Sequence, residues 1–194
     1  PWVTHQSIQH RQVENTRLWR EQYGKPVVID ECQYEGNIPE GWGNLAPQEM
    51  VRKFWEGTVR GGYVGHGETY LHPEDLLWWS KGGELHGASP ARLAFLREIL
   101  ACGPARGWDP VDGVVGEGFP CVAKGQEAYL TYFGMQQPAL VRFRLPEGKR
   151  YRAEILDTWE MTRTPVVAPL AGPCELALPT RIYQGVLLQA EDSR

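Results

Sequence analysis

The sequence contains no apolar run long enough to cross a bilayer. It also has no excess of positive charge. The formal net charge is -4, which argues against nucleic acid or an anionic membrane as a partner. Cysteine is sparse: Cys32, Cys102, Cys121 and Cys174 are widely spaced, with no Cys-x-x-Cys pair and no Cys/His zinc spacing. A chain of 194 residues needs no disulfide framework to hold a core, so free, mostly buried thiols are expected. His5, His10, His66 and His86 fall in no His-Glu-x-x-His or His-x-x-Glu-His arrangement, and Gly61-Gly62 and Gly82-Gly83 lack the Gly-x-x-x-x-Gly-Lys spacing of a phosphate cradle. No metal and no cofactor is therefore expected. Internal repeats and low-complexity tracts are absent too.

Aromatic residues are plentiful, with eight Trp and eight Tyr. Such rings fill cores, but their faces also stack on the CH groups of sugars. The most telling segment is Lys25-Pro26-Val27-Val28-Ile29-Asp30-Glu31, followed by Tyr34-Glu35-Gly36. A short β-branched run that ends in acidic residues and opens into a Gly-, Pro- and Trp-rich loop reads as a buried parallel strand delivering a carboxylate to its C-terminal end.

Around that strand the first half alternates helix and strand. Val13 to Gln22 reads as a helix stopped by Gly24, and Pro26 to Ile29 as a strand. Pro47 to Val59 reads as a helix with Pro47 in its first turn and Met50, Val51, Phe54, Trp55 and Val59 as apolar positions. Tyr63 to Gly65 reads as a short strand, and Ser89-Pro90 opens a last helix to about Leu100. With a strand stub at Trp2-Val3, this order predicts a parallel sheet wrapped by helices, the last part of an eight-fold (β/α)8 barrel. From Val114 onward no helix is expected. Short alternating runs at Ala128–Phe133, Ala139–Leu145, Tyr151–Leu156 and Gly185–Gln189 predict an all-β antiparallel sandwich. The expected organisation is thus a partial barrel over 1–103, a linker over 104–113 and a sandwich over 114–194.

Glu31 is the first candidate for chemistry, because a rigid strand end suits a carboxylate nucleophile. The bland alternative is that Glu31 or Asp30 pairs with an arginine or caps the following loop. Glu35 and Glu68 are rivals that could bind sugar hydroxyls or hydrogen-bond loop amides. Trp42, Trp78 and Trp79 are candidate sugar platforms, with one of the adjacent pair expected in the core.

Several motifs together resemble a known group of enzymes. These are the Lys25–Glu31 strand with Tyr34-Glu35-Gly36, Trp55-Glu56-Gly57 before Gly61-Gly62-Tyr63, His66-Gly67-Glu68-Thr69-Tyr70, and Trp78-Trp79-Ser80-Lys81-Gly82-Gly83. Residues 1 to about 101 resemble the last part of the barrel of a clan A-type retaining glycoside hydrolase, closest to the bacterial cellulase-like and apiosidase-like families. The tail, through Gly148-Lys149-Arg150-Tyr151 and Asp157-Thr158-Trp159, resembles the small β-sandwich that follows such barrels. The resemblance implies that Glu31 is the nucleophile at the end of the seventh strand. Tyr63 to Gly65 would be the eighth strand, with His66, Glu68 and Tyr70 at the cleft, and Tyr34, Glu35, Trp42, Trp78 and Trp79 nearby. Trp2 to Gln9 would be the end of strand six and its loop, bringing His5 and Gln6 near substrate. His66 or Tyr34 would donate a hydrogen bond to Glu31. The acid/base Glu of the fourth strand has no counterpart here, so the chain, which begins at Pro1, reads as a fragment that is inactive by itself. An oligo- or polysaccharide is the implied substrate, and the remaining N-terminal half of the barrel an implied partner, with a homo-oligomer as the other way to cover open sheet edges. The competing expectation is a carbohydrate-binding or structural module without catalysis, in which Tyr132 and Trp159 would be the platforms.

Overall fold

The computed structural model describes residues 2–71 and 83–191. They form two compact units divided inside a helix, at Ala94 and Phe95.

In the first unit, β1 (Gln6–Gln9), β2 (Val27–Glu31) and a later strand, Gly62–Val64, make a parallel sheet with β2 in the centre. Between β1 and β2 a short 3-10 turn leads into α1 (Thr16–Tyr23), which ends as expected at Gly24, in the left-handed region at φ 59°. After β2 come β3 (Glu35–Gly36) and α2 (Pro47–Val59), whose bounds match the sequence expectation. Pro47 starts α2 because its missing N–H is one the first turn cannot use anyway. The Gly62–Val64 strand is β4, and β5 (Glu68–Thr69) pairs in parallel with β3. The unit closes on the first turns of α3 (Ser89–Ala101). The stub expected at Trp2-Val3 lies instead at Gln6–Gln9. Pairing decides this: Gln6, Ser7 and Ile8 align with Val27, Val28 and Ile29, while Trp2 is left 88 % exposed.

One face of this sheet is covered. Val27, Ile29 and Cys32 pack with Val13 and Met50, and with the half-buried Trp19 and Phe54 of the helices. The opposite face carries Asp30, and on β4 Tyr63 is 66 % exposed. β1 and β4 are the outer strands, with no further strand beside either among the described residues. Among the described residues, both edges of this sheet are therefore open.

The register of β1 against β2 is irregular. Ile8 faces Ile29, but Gln9 faces Glu31, so β2 carries one extra residue. Strict alternation would send Glu31 to the same side as Ile29. Instead Ile29 and Cys32, three positions apart, share the helix-covered core. Asp30 and Glu31 are both left for the open side, where Ser7 bonds Asp30 and Gln9 bonds Glu31.

The second unit is built almost wholly of antiparallel strands: β6 (Asp109–Pro110), β7 (Cys121–Ala123), β8 (Ala128–Tyr132), β9 (Leu140–Arg144), β10 (Arg150–Asp157), β11 (Thr162–Pro165), β12 (Leu170–Ala171), β13 (Pro173–Ala177) and β14 (Gln184–Ala190). One sheet runs in the order β11-β10-β14-β8-β7-β6, with β12 also on β10, and β9 pairs with β13. Alternation builds the core between them. Val141 and Phe143 of β9 are buried while Arg142 and Arg144 are exposed, and Arg142 bridges to Glu175 at 3.0 Å. Val141 and Phe143 share one apolar cluster with Tyr129, Tyr151, Val186 and Leu188 of the larger sheet. The expected linker segment contributes β6, which pairs with β7. All four cysteines are free, and burial pushes the Cys121 thiol up to about 12.

Candidate active site

Glu31 sits at the C-terminal end of the central parallel strand, half-buried. Its carboxylate accepts a hydrogen bond from the Gln9 amide at 3.1 Å, and its backbone carbonyl accepts one from the His10 N–H at 3.0 Å. Tyr34 reaches it from the loop just beyond. Burial first, then its hydrogen bond and proximity to Glu31, pushes the Tyr34 phenol well above its ordinary value, so it stays a proton donor. The chain bends back through Gln33, which holds a left-handed φ of 97°, an uncommon conformation for a residue with a side chain. Tyr34 is then fixed from two sides. Its N–H bonds the Trp42 carbonyl at 2.8 Å and its carbonyl accepts from Leu45 at 3.0 Å. Gly67 lies so near the ring that an added Cβ would come within 2.2 Å of it.

A second cluster lies in the same unit. Glu35 and Glu68 face each other across the β3–β5 pair. Two adjacent buried carboxylates repel unless donors surround them. Here the chain entering α3 supplies those donors. Glu35, 0 % exposed, accepts from Tyr70 Oη at 2.7 Å, Ala88 N at 2.8 Å and Ser89 N at 3.1 Å, and from the Ser89 hydroxyl. Glu68 accepts from the amides of His86 at 2.8 Å and Gly87 at 3.0 Å through Oε2. Its Oε1 is buried without a hydrogen bond among the described residues. The positive end of α3 adds a favourable field at Glu35. His66 Nε2 lies 3.0 Å from Ser89 Oγ and 3.8 Å from Glu68 Oε1. Because the Ser89 hydroxyl donates to Glu35, it accepts from His66, which places the imidazole proton on Nε2. Burial lowers the His66 pKa against the opposing pull of Glu68 and Glu35. Burial and the bond to Glu35 raise that of Tyr70.

Glu35, His66 and Glu68 offer ligand atoms within 4.8 Å of one another. Their donor chemistry does not suit a cation. All four lone-pair positions of Glu35 are taken, and His66 Nε2 points its proton at Ser89, leaving Glu68 Oε1 alone. The cluster reads as a clamp that ties the loops after β2 and β4 to the start of α3.

The structure thus brings Glu31 to Tyr34, and Glu35 to His66, Glu68 and Tyr70. Of the two donors expected for Glu31, Tyr34 reaches it, whereas His66 neighbours Ser89 and Glu68 instead. His5 and Gln6 lie at the opposite end of β1, since Gln6 pairs with Val27 at the start of β2. At the Glu31 end stand Gln9, the last paired residue of β1, and His10 and Arg11 just after it; none of the three was expected at the site. Trp42 lies against Arg11, whose guanidinium is 5.2 Å from the indole centre. Trp78 and Trp79 fall outside the described residues. In the second unit Tyr132 is fully buried, and Trp159 is half-buried in a turn whose N–H bonds Asp157.

In comparison with known proteins, the fold of this chain is similar to glycoside hydrolase structures. A "putative glycoside hydrolase" from Bacteroides vulgatus ATCC 8482 superposes with a TM-score of 0.86 at 28 % identity, over 98 % of this chain and 42 % of its own. A glycoside hydrolase family 5 structure from the same organism gives a TM-score of 0.71 at 14 % identity, over 100 % of this chain and 52 % of its own. A further glycoside hydrolase gives 0.73 at 15 % identity, over 100 % and 54 %. The chain therefore spans about half the length of the structures it matches or less, and its fold is glycoside hydrolase-related. Residues 118–189 match the family described as Domain of unknown function (DUF5605). No curated protein matches the sequence.

Proposed function

We propose that this chain is the C-terminal part of a clan A-type retaining glycoside hydrolase. The first unit supplies the last strands and helices of a (β/α)8 barrel, and the second is the small β-sandwich that follows it. Strand order supports the barrel: β1, β2 and β4 lie side by side in the order they occur, with a helix between each, as in a singly wound barrel and without the switch point of a doubly wound sheet. The open face of the sheet becomes the barrel interior once the remaining strands, from the rest of the protein, are in place.

The observation that carries the proposal is Glu31. The extra residue in β2 turns its carboxylate to the open side at the C-terminal strand end, where barrel enzymes keep their chemistry. Glu31 attacks the anomeric carbon of an oligo- or polysaccharide while a second carboxyl, ~5 Å away and outside these residues, protonates the departing oxygen. A covalent glycosyl-enzyme forms. The second carboxyl then takes a proton from water, which releases the sugar and restores Glu31. Gln9 and Tyr34 hold Glu31 by hydrogen bonds to its charged form. His66, Glu68, Tyr70 and Glu35 position the loops around it, and Trp42 borders the cleft.

The test is Glu31→Gln in the whole natural protein, with initial rates measured on a panel of aryl glycosides. The rate is expected to fall by several orders of magnitude, since the amide cannot form the ester. Near-normal turnover would overturn the assignment.

A further inference from the structure

Beside Glu31 lies a pocket of about 360 Å³ whose lining has a one-sided chemistry. Its walls are Gln9, His10, Arg11, Gln12 and Trp42, so it holds one fixed cation and no carboxylate. Arg11 has no ion pair among the described residues. Its only hydrogen bond there is a long one, 3.5 Å, to the Gly41 carbonyl. Its position is nevertheless set. The guanidinium rests on the Trp42 ring, and its backbone carbonyl accepts a hydrogen bond from the buried Lys53 ammonium. Stacking orients a guanidinium and leaves its N–H edge for a planar acceptor.

His10 adds a donor. His10 Nδ1 accepts from the Gln12 amide at 3.0 Å, so the ring proton of neutral His10 lies on Nε2. The Gln9 amide N–H group already points at Glu31. A fixed cation beside a neutral N–H donor, with no acidic residue in the lining, suits an acceptor-rich, negatively charged group. The volume lies within the range of small-molecule sites.

We propose that this pocket is a sugar subsite adjoining Glu31 that recognises an anionic ring, one carrying the carboxylate of a uronic acid or a sulfate ester, with Arg11 as the specificity-determining residue. The inference rests on the glycosidase reading for its place beside the reacting bond. Recognition by Arg11 does not itself require catalysis, so the two can fail separately.

Calorimetric binding to the whole natural protein, with Glu31→Gln introduced to prevent turnover, tests it. The probes are methyl glucuronoside, methyl galacturonoside, glucose 6-sulfate and the neutral methyl glucoside and galactoside. At least one anionic probe is expected to bind about tenfold to a hundredfold tighter than its neutral counterpart, the usual worth of a charge-assisted hydrogen bond. Arg11→Leu should bring that ratio close to one, and Arg11→Lys should restore part of it. Tighter uronosides identify a carboxylate ligand, and tighter glucose 6-sulfate a sulfate. Equal binding of anionic and neutral probes, or a preference that Arg11→Leu does not change, overturns the inference. An anionic preference dependent on Arg11, in a protein whose aryl glycosidase rate is unaffected by Glu31→Gln, would keep this inference and remove the glycosidase reading.

Discussion

Glycine decides more at this site than its lack of a side chain suggests. Gly67 packs against the ring that bonds Glu31, and Gly87 lies against both buried carboxylates, where a Cβ would approach Glu68 Oε1 to 2.5 Å and Glu35 Oε1 to 2.6 Å. A methyl group at either place must displace a side chain already held by hydrogen bonds. Gly67→Ala should therefore push Tyr34 off Glu31 and lower kcat/KM of the proposed enzyme by about tenfold to a hundredfold, the worth of a hydrogen bond to a charged group. Steady-state kinetics beside Tyr34→Phe checks this, since both variants should lose the same interaction. Unchanged kcat/KM in Gly67→Ala would mean that Tyr34 does not matter to Glu31. None of this was legible in the sequence, where Gly67 and Gly87 are two of 22 glycines. Tyr34, only three positions from Glu31, was.

At the level of elements, the strands and helices announced themselves where their residues interact locally. The Pro47 start and 3.6-residue apolar spacing gave α2 its limits, and Val27-Val28-Ile29 marked β2. What escaped notice depends on partners distant in sequence. The extra residue of β2 exists only in its pairing with β1. Ser89 read as an ordinary helix start, yet its N–H and hydroxyl serve Glu35, 54 positions away. Similarly, β3 and β5 are two residues each, too short for any periodicity to mark. The clamp these elements form has a pH signature. Burial holds the folded-state pKa of His66 below its ordinary 6.5. Between that lowered value and 6.5 the unfolded chain binds more protons than the folded one, so stability falls as pH drops through 6.5 and levels off below the folded pKa. Thermal melts from about pH 7.5 to about pH 5 should show this slope, and His66→Gln should flatten it. A slope of equal steepness in the variant would show that His66 is not its source.

Across the whole molecule, the rhythm of the elements changes: alternating strand and helix in the first unit, then short strands between turns in the second. The antiparallel unit was the easier to read, because one wet face imposes alternation along β9 and β10. In the parallel unit, the sheet of the described residues ends at β1 and β4 and leaves one face open. That open face is central to the proposed function, because the acidic end of β2 turns toward it. In the proposed enzyme the rest of the barrel covers the face and brings the second carboxyl within reach of Glu31. The most direct measurement is to treat the whole natural protein with activated 2-deoxy-2-fluoro glycosides, which slow release of the covalent intermediate, and to map the adduct by peptide mass spectrometry. The account predicts one sugar added per chain, carried by the peptide containing Glu31 and attached to that residue. A sugar attached to any other residue, or turnover of the glycoside with inverted configuration and no adduct, would contradict it.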